Sequence, residues 1–255
     1  MRFEKWHALG NAYVLVTQPD TGALTAERVR RLCDPGTGIG SDGIVEVLAH
    51  DRGKAEVAVW NPDGSTAEMS GNGTRIAAAW LLRDSGLGEV AIETAGRRIP
   101  SSRSVDGLVR QEIGDARVGH DETVDLVGER IVFIPVDVGN PHAVVHRDVL
   151  SRDDLLRIGP ALEVHRRFPA RTNVQLASSV SGGTMRALVW ERGAGETSAS
   201  GSSAVAVGAA AVARGWCDSP VRVSMPGGEL LVEISGSAVV LTGPAEEICA
   251  GTTPL

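Results

Sequence analysis

Two serines carry the strongest chemical signal in this sequence. Ser70-Gly71-Asn72 and Ser200-Gly201-Ser202 each stand just before an apolar, proline-free run, Ile76 to Leu82 and Ala204 to Ala213. Both runs are rich in alanine and read as helices. A small residue and a glycine at a helix start leave several backbone N–H groups unsatisfied and pointing outward. Together with the helix dipole they make a place for an anion. If two such starts held one carboxylate between them, the same donors would stabilise the enediolate formed when the proton alpha to it is removed. Ser70 and Ser200 would then flank that carbon from opposite faces, which suits a reaction needing an acid on one side and a base on the other.

The elements that must position these serines are written twice. Gly10-Asn11 runs into Val14-Leu15-Val16, and Gly139-Asn140 runs into Ala143-Val144-Val145, an offset of 129. Val59-Trp60-Asn61 precedes Ser70, and Val189-Trp190-Glu191 precedes Ser200, an offset of 130. In both halves the tryptophan stands ten residues before the serine. A fixed period of this kind marks a repeated structural unit. Alternating or β-branched segments near Val14–Val16, Ile44–Leu48, Ala55–Trp60, Val132–Val138, Met185–Trp190 and Leu230–Ile234 read as strands. The stretch Ser101 to Asp125 reads as polar, turn-rich chain and as the junction. Residues 1–117, rejoined by about 241–255, are expected to form one half and residues 118–240 the other.

The strings FEKWHALGNAYVLV, IGSDG, WNPDGSTAEMSGNG, VGNPHAVV, RTNVQLA and WERGAGETSASGS run through the whole chain in that order. In series they resemble the motifs of the diaminopimelate epimerases, which are pyridoxal-independent amino-acid epimerases. The resemblance implies an α/β (α+β) fold of two pseudo-symmetric domains, each a β-sheet or barrel wrapped around a central helix. It places the active site in the interdomain cleft. It also implies a small, dicarboxylate-like amino-acid substrate, no cofactor, no metal, a homodimer, and a place in amino-acid metabolism such as lysine biosynthesis. Carried over by motif, Ser70 and Ser200 stand where the family has its two catalytic cysteines, and His142 and Glu191 match the acid/base supports of those thiols. Gly71, Asn72, Gly201 and Ser202 match the helix starts that hold the reacting carboxylate. Asn11, Asn61, Asn140, Asn173 and Arg192 match the polar groups that hold the rest of the substrate.

The departure at the two serines matters more than any single match. A thiol near a helix N-terminus becomes a usable base, whereas a serine hydroxyl acts only with a neighbouring base. Three readings follow from the sequence. The serines replace cysteines of an ordinary epimerase. Alternatively, the chain is a variant catalysing another proton shift, elimination or cyclisation through His142 and Glu191. The third is an amino-acid-binding relic without catalysis. Ser203, where the family has a glycine-like residue, favours the second.

Composition narrows the setting. Hydrophobic residues at 42% and charged residues at 22% fit a globular chain. A net charge of −7 offers no basic stripe for nucleic acid. No apolar run reaches the ~18 residues of a membrane span, and no apolar block opens the chain, so a cytoplasmic address is expected. Cys33, Cys217 and Cys249 lack ligand spacing and are expected to be reduced structural thiols. Gly38, Gly40 and Gly43 fit a dinucleotide fingerprint by spacing, but a helix-like segment (Ala26 to Cys33) precedes them and a strand follows, so they read as a tight turn. His142 and His146 lie on a strand at a spacing unsuited to sharing a metal. Trp60, Trp80, Trp190 and Trp216 read as packing residues.

Overall fold

The computed structural model describes residues 1–18, 22–67, 70–126, 128–180 and 182–255. Four helices of the described residues are labelled α1 (Ala26–Cys33), α2 (Gly71–Ser85), α3 (Arg152–Glu163) and α4 (Gly201–Ala213). The remaining regular structure is strand, and the fold is mixed α/β. The chain divides into one unit of residues 1–112 with 242–255 and a second of residues 113–241.

In the first unit, Arg2–Ala8 pairs antiparallel with Asn11–Thr17, which pairs parallel with Ile44–His50 across the α1 crossover. Ile44–His50 then pairs antiparallel with Lys54–Trp60, and after α2 the sheet continues parallel into Glu89–Thr94. Glu246–Thr252 adds to the free side of the first strand. The second unit repeats the scheme. Glu129–Asp137 pairs antiparallel with Pro141–His146, which pairs parallel with Asn173–Val180 across α3. Asn173–Val180 pairs antiparallel with Thr184–Glu191, and after α4 comes a parallel partner, Val221–Met225. The parallel steps need a crossover, and the helices provide it.

Both central helices are apolar nearly all round, as a helix enclosed by sheet must be. In α2, Ile76 through Leu82 are buried, and α4 buries Ala204 through Ala211. Glycine lets strand and helix approach closely: a Cβ on Gly208 would come within 2.8 Å of Val232 Cγ1. The first unit's core surrounds α2 with Trp6, Leu15, Val45, Val57 and Ile92. A second cluster in that unit packs α1 against Val14, Val16 and Ile44.

One local expectation is corrected. Ser101 to Asp125 is largely strand, comprising the end of Arg97–Arg103, then Val109–Asp115, Arg117–Val118 and Glu122–Leu126. Polar residues alternate there with buried Ser101, Val109, Gln111 and Ile113, so the segment is half-buried sheet whose outward face misleads. The Gly38–Gly43 segment is a turn. Gly38 N donates to Asp34 O and Gly40, at φ 72°, donates to Leu32 O, closing the end of α1.

Candidate functional site

In the first unit Ser70 is the N-cap of α2, with extended backbone (φ −134°, ψ 110°) and a side chain that accepts from Gly73 N at 3.0 Å. The phenol of Tyr13 lies 3.1 Å from the same Oγ. Beside it, Asn72 Nδ2 donates to Asn11 Oδ1 at 3.0 Å. Behind this group Arg75, one turn into α2, is fully buried. Its guanidinium donates to Gly71 O, Asn72 Oδ1 and Pro244 O, all neutral oxygens. Burial pulls its pKa down to about 10, still charged at neutral pH. A buried cation bonded, among the described residues, only to neutral groups projects its positive potential onto the helix start. Asn61 stands apart from this group, its amide folded back onto Ser65 Oγ at 2.9 Å within an exposed turn.

In the second unit Ser200 is the N-cap of α4, also extended (φ −143°, ψ 125°), but its side chain makes no capping hydrogen bond. The Ser200 and Thr197 hydroxyls are near enough to favour the charged form of Glu191, but among the described residues no hydrogen bond joins either to its carboxyl, and Thr197 Oγ1 is buried without a partner. Burial raises the Glu191 pKa above the ordinary carboxylate value, and the two hydroxyls only partly oppose it. His142 is buried, at 1% exposure, and both its ring nitrogens are taken. Nε2 is 3.0 Å from Asn140 Oδ1 and Nδ1 is 3.0 Å from Gln175 Nε2. This pattern fits the neutral ring with its proton on Nε2. Desolvation, aided by the nearby charge of Arg192 and opposed by Gln175, pushes the His142 pKa down to about 3. Gln175 Nε2 also donates to Ser203 Oγ at 2.9 Å, joining the ring to the second turn-forming serine of α4. Asn173 accepts from Arg192 N through Oδ1 and donates to Pro141 O through Nδ2, tying the Arg192 turn to the histidine strand.

Two cavities of the first unit, about 270 and 570 Å³, are lined by none of the residues expected in a site. The structure thus gathers Asn11, Ser70, Gly71 and Asn72 in one unit, and Asn140, His142, Asn173, Glu191, Arg192 and Ser200 in the other. Sequence reasoning passed over Tyr13, Arg75 and Gln175 as members. An arginine inside an otherwise apolar helix was the legible sign of one of them. The repeated tryptophans are tethered rather than merely packed. Trp60 Nε1 donates to buried Glu46 and Trp190 Nε1 to buried Glu163. Glu163 also accepts from Gly193 N, which steadies the turn that carries Glu191 and Arg192.

The model of the family described as diaminopimelate epimerase matches residues 3–118 and 134–248, both units of the repeat. The chain belongs to the diaminopimelate epimerase family. It is 39% identical to "Diaminopimelate epimerase 2" of Nostoc sp., over 92% of this chain and 88% of that protein. A diaminopimelate epimerase of Desulforudis audaxviator is 38% identical, with 98% of each chain covered. Among solved structures, a predicted epimerase from Pseudomonas aeruginosa matches with a TM-score of 0.74 at 17% identity, covering 100% of this chain and 99% of that one. A probable proline racemase from Agrobacterium radiobacter matches equally well, at 0.74 and 18% identity, covering 100% and 93%. Membership makes the chain an isomerase of the amino-acid racemase and epimerase type, of the cofactor-independent kind. No helix among the described residues is long and apolar enough to cross a membrane.

Proposed function

We propose that this isomerase inverts an amino acid at its α-carbon, with diaminopimelate or a close amino dicarboxylate as substrate, and that Ser70 and Ser200 are its reacting residues. The observation that carries this reading is the part-buried Glu191 carboxyl, held in the same unit as the uncapped Ser200 helix start. There the Ser200 hydroxyl takes the α-proton as its own proton passes to Glu191, whose part-buried carboxylate is a stronger base than an exposed one. The backbone N–H groups opening α2 and α4 carry the enediolate charge. His142, with both nitrogens engaged, acts as a fixed neutral support. Arg192, Asn11, Asn140 and Asn173 recognise the distal end of the substrate. A homodimer in the cytoplasm completes the reading, and light scattering checks the dimer.

The test is proton NMR of the α-position in deuterium oxide, over LL-diaminopimelate and a panel of amino acids. Exchange of the α-proton with formation of the opposite configuration is the expected outcome. Ser70→Cys with Ser200→Cys should speed the diaminopimelate reaction by orders of magnitude, since a thiol ionises near pH ~8.5 and a serine far higher. Ligand binding without exchange in either form would leave a binding protein and end the proposal. A different product from the Ser/Ser chain, lost in Glu191→Gln, would favour the proton-shift or elimination reading, which the Ser203–Gln175–His142 chain supports.

A further inference from the structure

The two serines are held in opposite hydrogen-bonding states, and the difference assigns a direction to each. Ser70 Oγ has two lone pairs and one proton. One lone pair takes Gly73 N–H at 3.0 Å, and the Tyr13 phenol stands 3.1 Å away on the other side. If the phenol donates, both lone pairs are filled, and the Ser70 proton can only point outward, away from the helix. A hydroxyl so bound can give a proton but has no lone pair with which to take one. Ser200 differs: its side chain makes no cap bond, and the part-buried Glu191 carboxyl stands in the same unit.

Resting on the proposed α-carbon chemistry, we infer that Tyr13 is the positioning residue that makes Ser70 the proton donor of the pair, resupplying Ser70 Oγ as it protonates the carbanion. In that step the Ser70 O–H bond breaks and a C–H bond forms at the α-carbon. The Tyr13 O–H proton moves to Ser70 Oγ, leaving a phenolate. A phenol of pKa near ~10 is a far better acid than a serine hydroxyl, so the relay supplies the acidity that Ser70 lacks. The phenolate is left within the field of buried Arg75, which among the described residues has no carboxylate partner and interacts electrostatically with Tyr13. Tyr13 is 8% exposed in the apolar core around α2, so the relay is shielded from bulk water.

This chain contains a single tyrosine, which makes the test direct. Absorbance near ~295 nm follows phenolate formation, and tryptophan does not titrate. The titration curve of the intact chain should differ from that of Ser70→Ala, because the phenol loses its acceptor. Superimposable curves would overturn the hydrogen-bonded relay whatever substrate the enzyme uses. Tyr13→Phe, which keeps the ring in the core, should raise the ratio of α-proton exchange to inversion at least tenfold, with a melting curve confirming the fold. Ser70→Cys in the Tyr13→Phe background should restore inversion, since a thiol is its own acid. Unchanged inversion in Tyr13→Phe would also overturn the inference. Absence of exchange on every amino acid would instead defeat the proposed function, leaving the titration to decide the relay.

Discussion

The helix starts of the two units share a backbone and differ in everything charged. Each has a serine in extended conformation at the N-cap, a glycine next, an apolar helix behind and a tryptophan strand before it. Around Ser70 stand a phenol and, one turn into the helix, a buried guanidinium; the unit of Ser200 carries instead the part-buried Glu191 carboxyl and a buried, neutral His142. The comparison teaches that a repeat sets the backbone of the two helix starts, while a few non-repeated side chains set the chemistry around each serine. Position 75 is arginine and its counterpart at an offset of 130 is Val205. Position 61 is asparagine and its counterpart is Glu191.

The largest break in the comparison is expected from Glu191→Gln. It removes the acceptor for the Ser200 proton, and α-proton exchange should fall by roughly 10²–10⁴, the usual share of a general base. Stability should move the other way. A carboxyl whose folded pKa is raised contributes stability that is present at low pH and lost as pH rises through that folded value. Glu191→Gln escapes this loss, so its melting temperature should exceed that of the intact chain at pH 7 to 8 and converge with it near pH ~4. Equal melting temperatures at every pH would mean that the folded chain does not desolvate the Glu191 carboxyl.

A smaller effect sharpens the assignment of the second unit. Arg192 is held at its backbone by Asn173 and reaches Ala170 O with its guanidinium. Arg192→Ala should weaken an amino dicarboxylate about tenfold or more, the scale of a charge-assisted hydrogen bond, and its monocarboxylate analogue much less. Calorimetry with both ligands measures this, and equal losses would remove Arg192 from recognition.

The smallest effect concerns His142. Its folded pKa of about 3 lies below the unfolded value of ~6.5. A depressed histidine contributes stability present above pH ~6.5 and lost as pH falls toward its folded value, by at most about 1.4 kcal/mol per pH unit. The Glu191 linkage overlaps this range, so the histidine's share is read as the difference in denaturant-midpoint slope between the intact chain and His142→Asn from pH 5 to 6.5. His142→Asn should be less stable at neutral pH but show a flatter dependence there. An unchanged slope would mean that the ring protonates freely in the folded chain.

Much of the site was legible because a helix start is a local event. Ser-Gly before an alanine-rich run makes an N-cap from backbone sterics and unsatisfied N–H groups alone, and both α2 and α4 begin there. The repeat offset likewise follows from each half needing the same strands and crossovers to bury one helix. The strands within Ser101 to Asp125 were less legible, because their exposed face is polar and only alternate residues declare the core. Asn61 was carried over by motif, yet its side chain is spent on Ser65.

By itself the sequence determined the doubled architecture, the positions of the two serines and the membership of a family. Those depend on short-range pattern: hydrophobic period, turn glycines and residue order. Only tertiary structure decided what each serine touches. Tyr13 and Ser70 are 57 residues apart, and Gln175 and His142 are 33 apart. Such contacts exist because parallel crossovers bring distant strands side by side, at a spacing that no local rule encodes. Tertiary structure also set how strongly Glu191 and His142 are desolvated, since burial depends on every neighbour at once. A chain can therefore announce two equivalent hydroxyls while its fold makes one of them a helix cap and leaves the other without a cap bond.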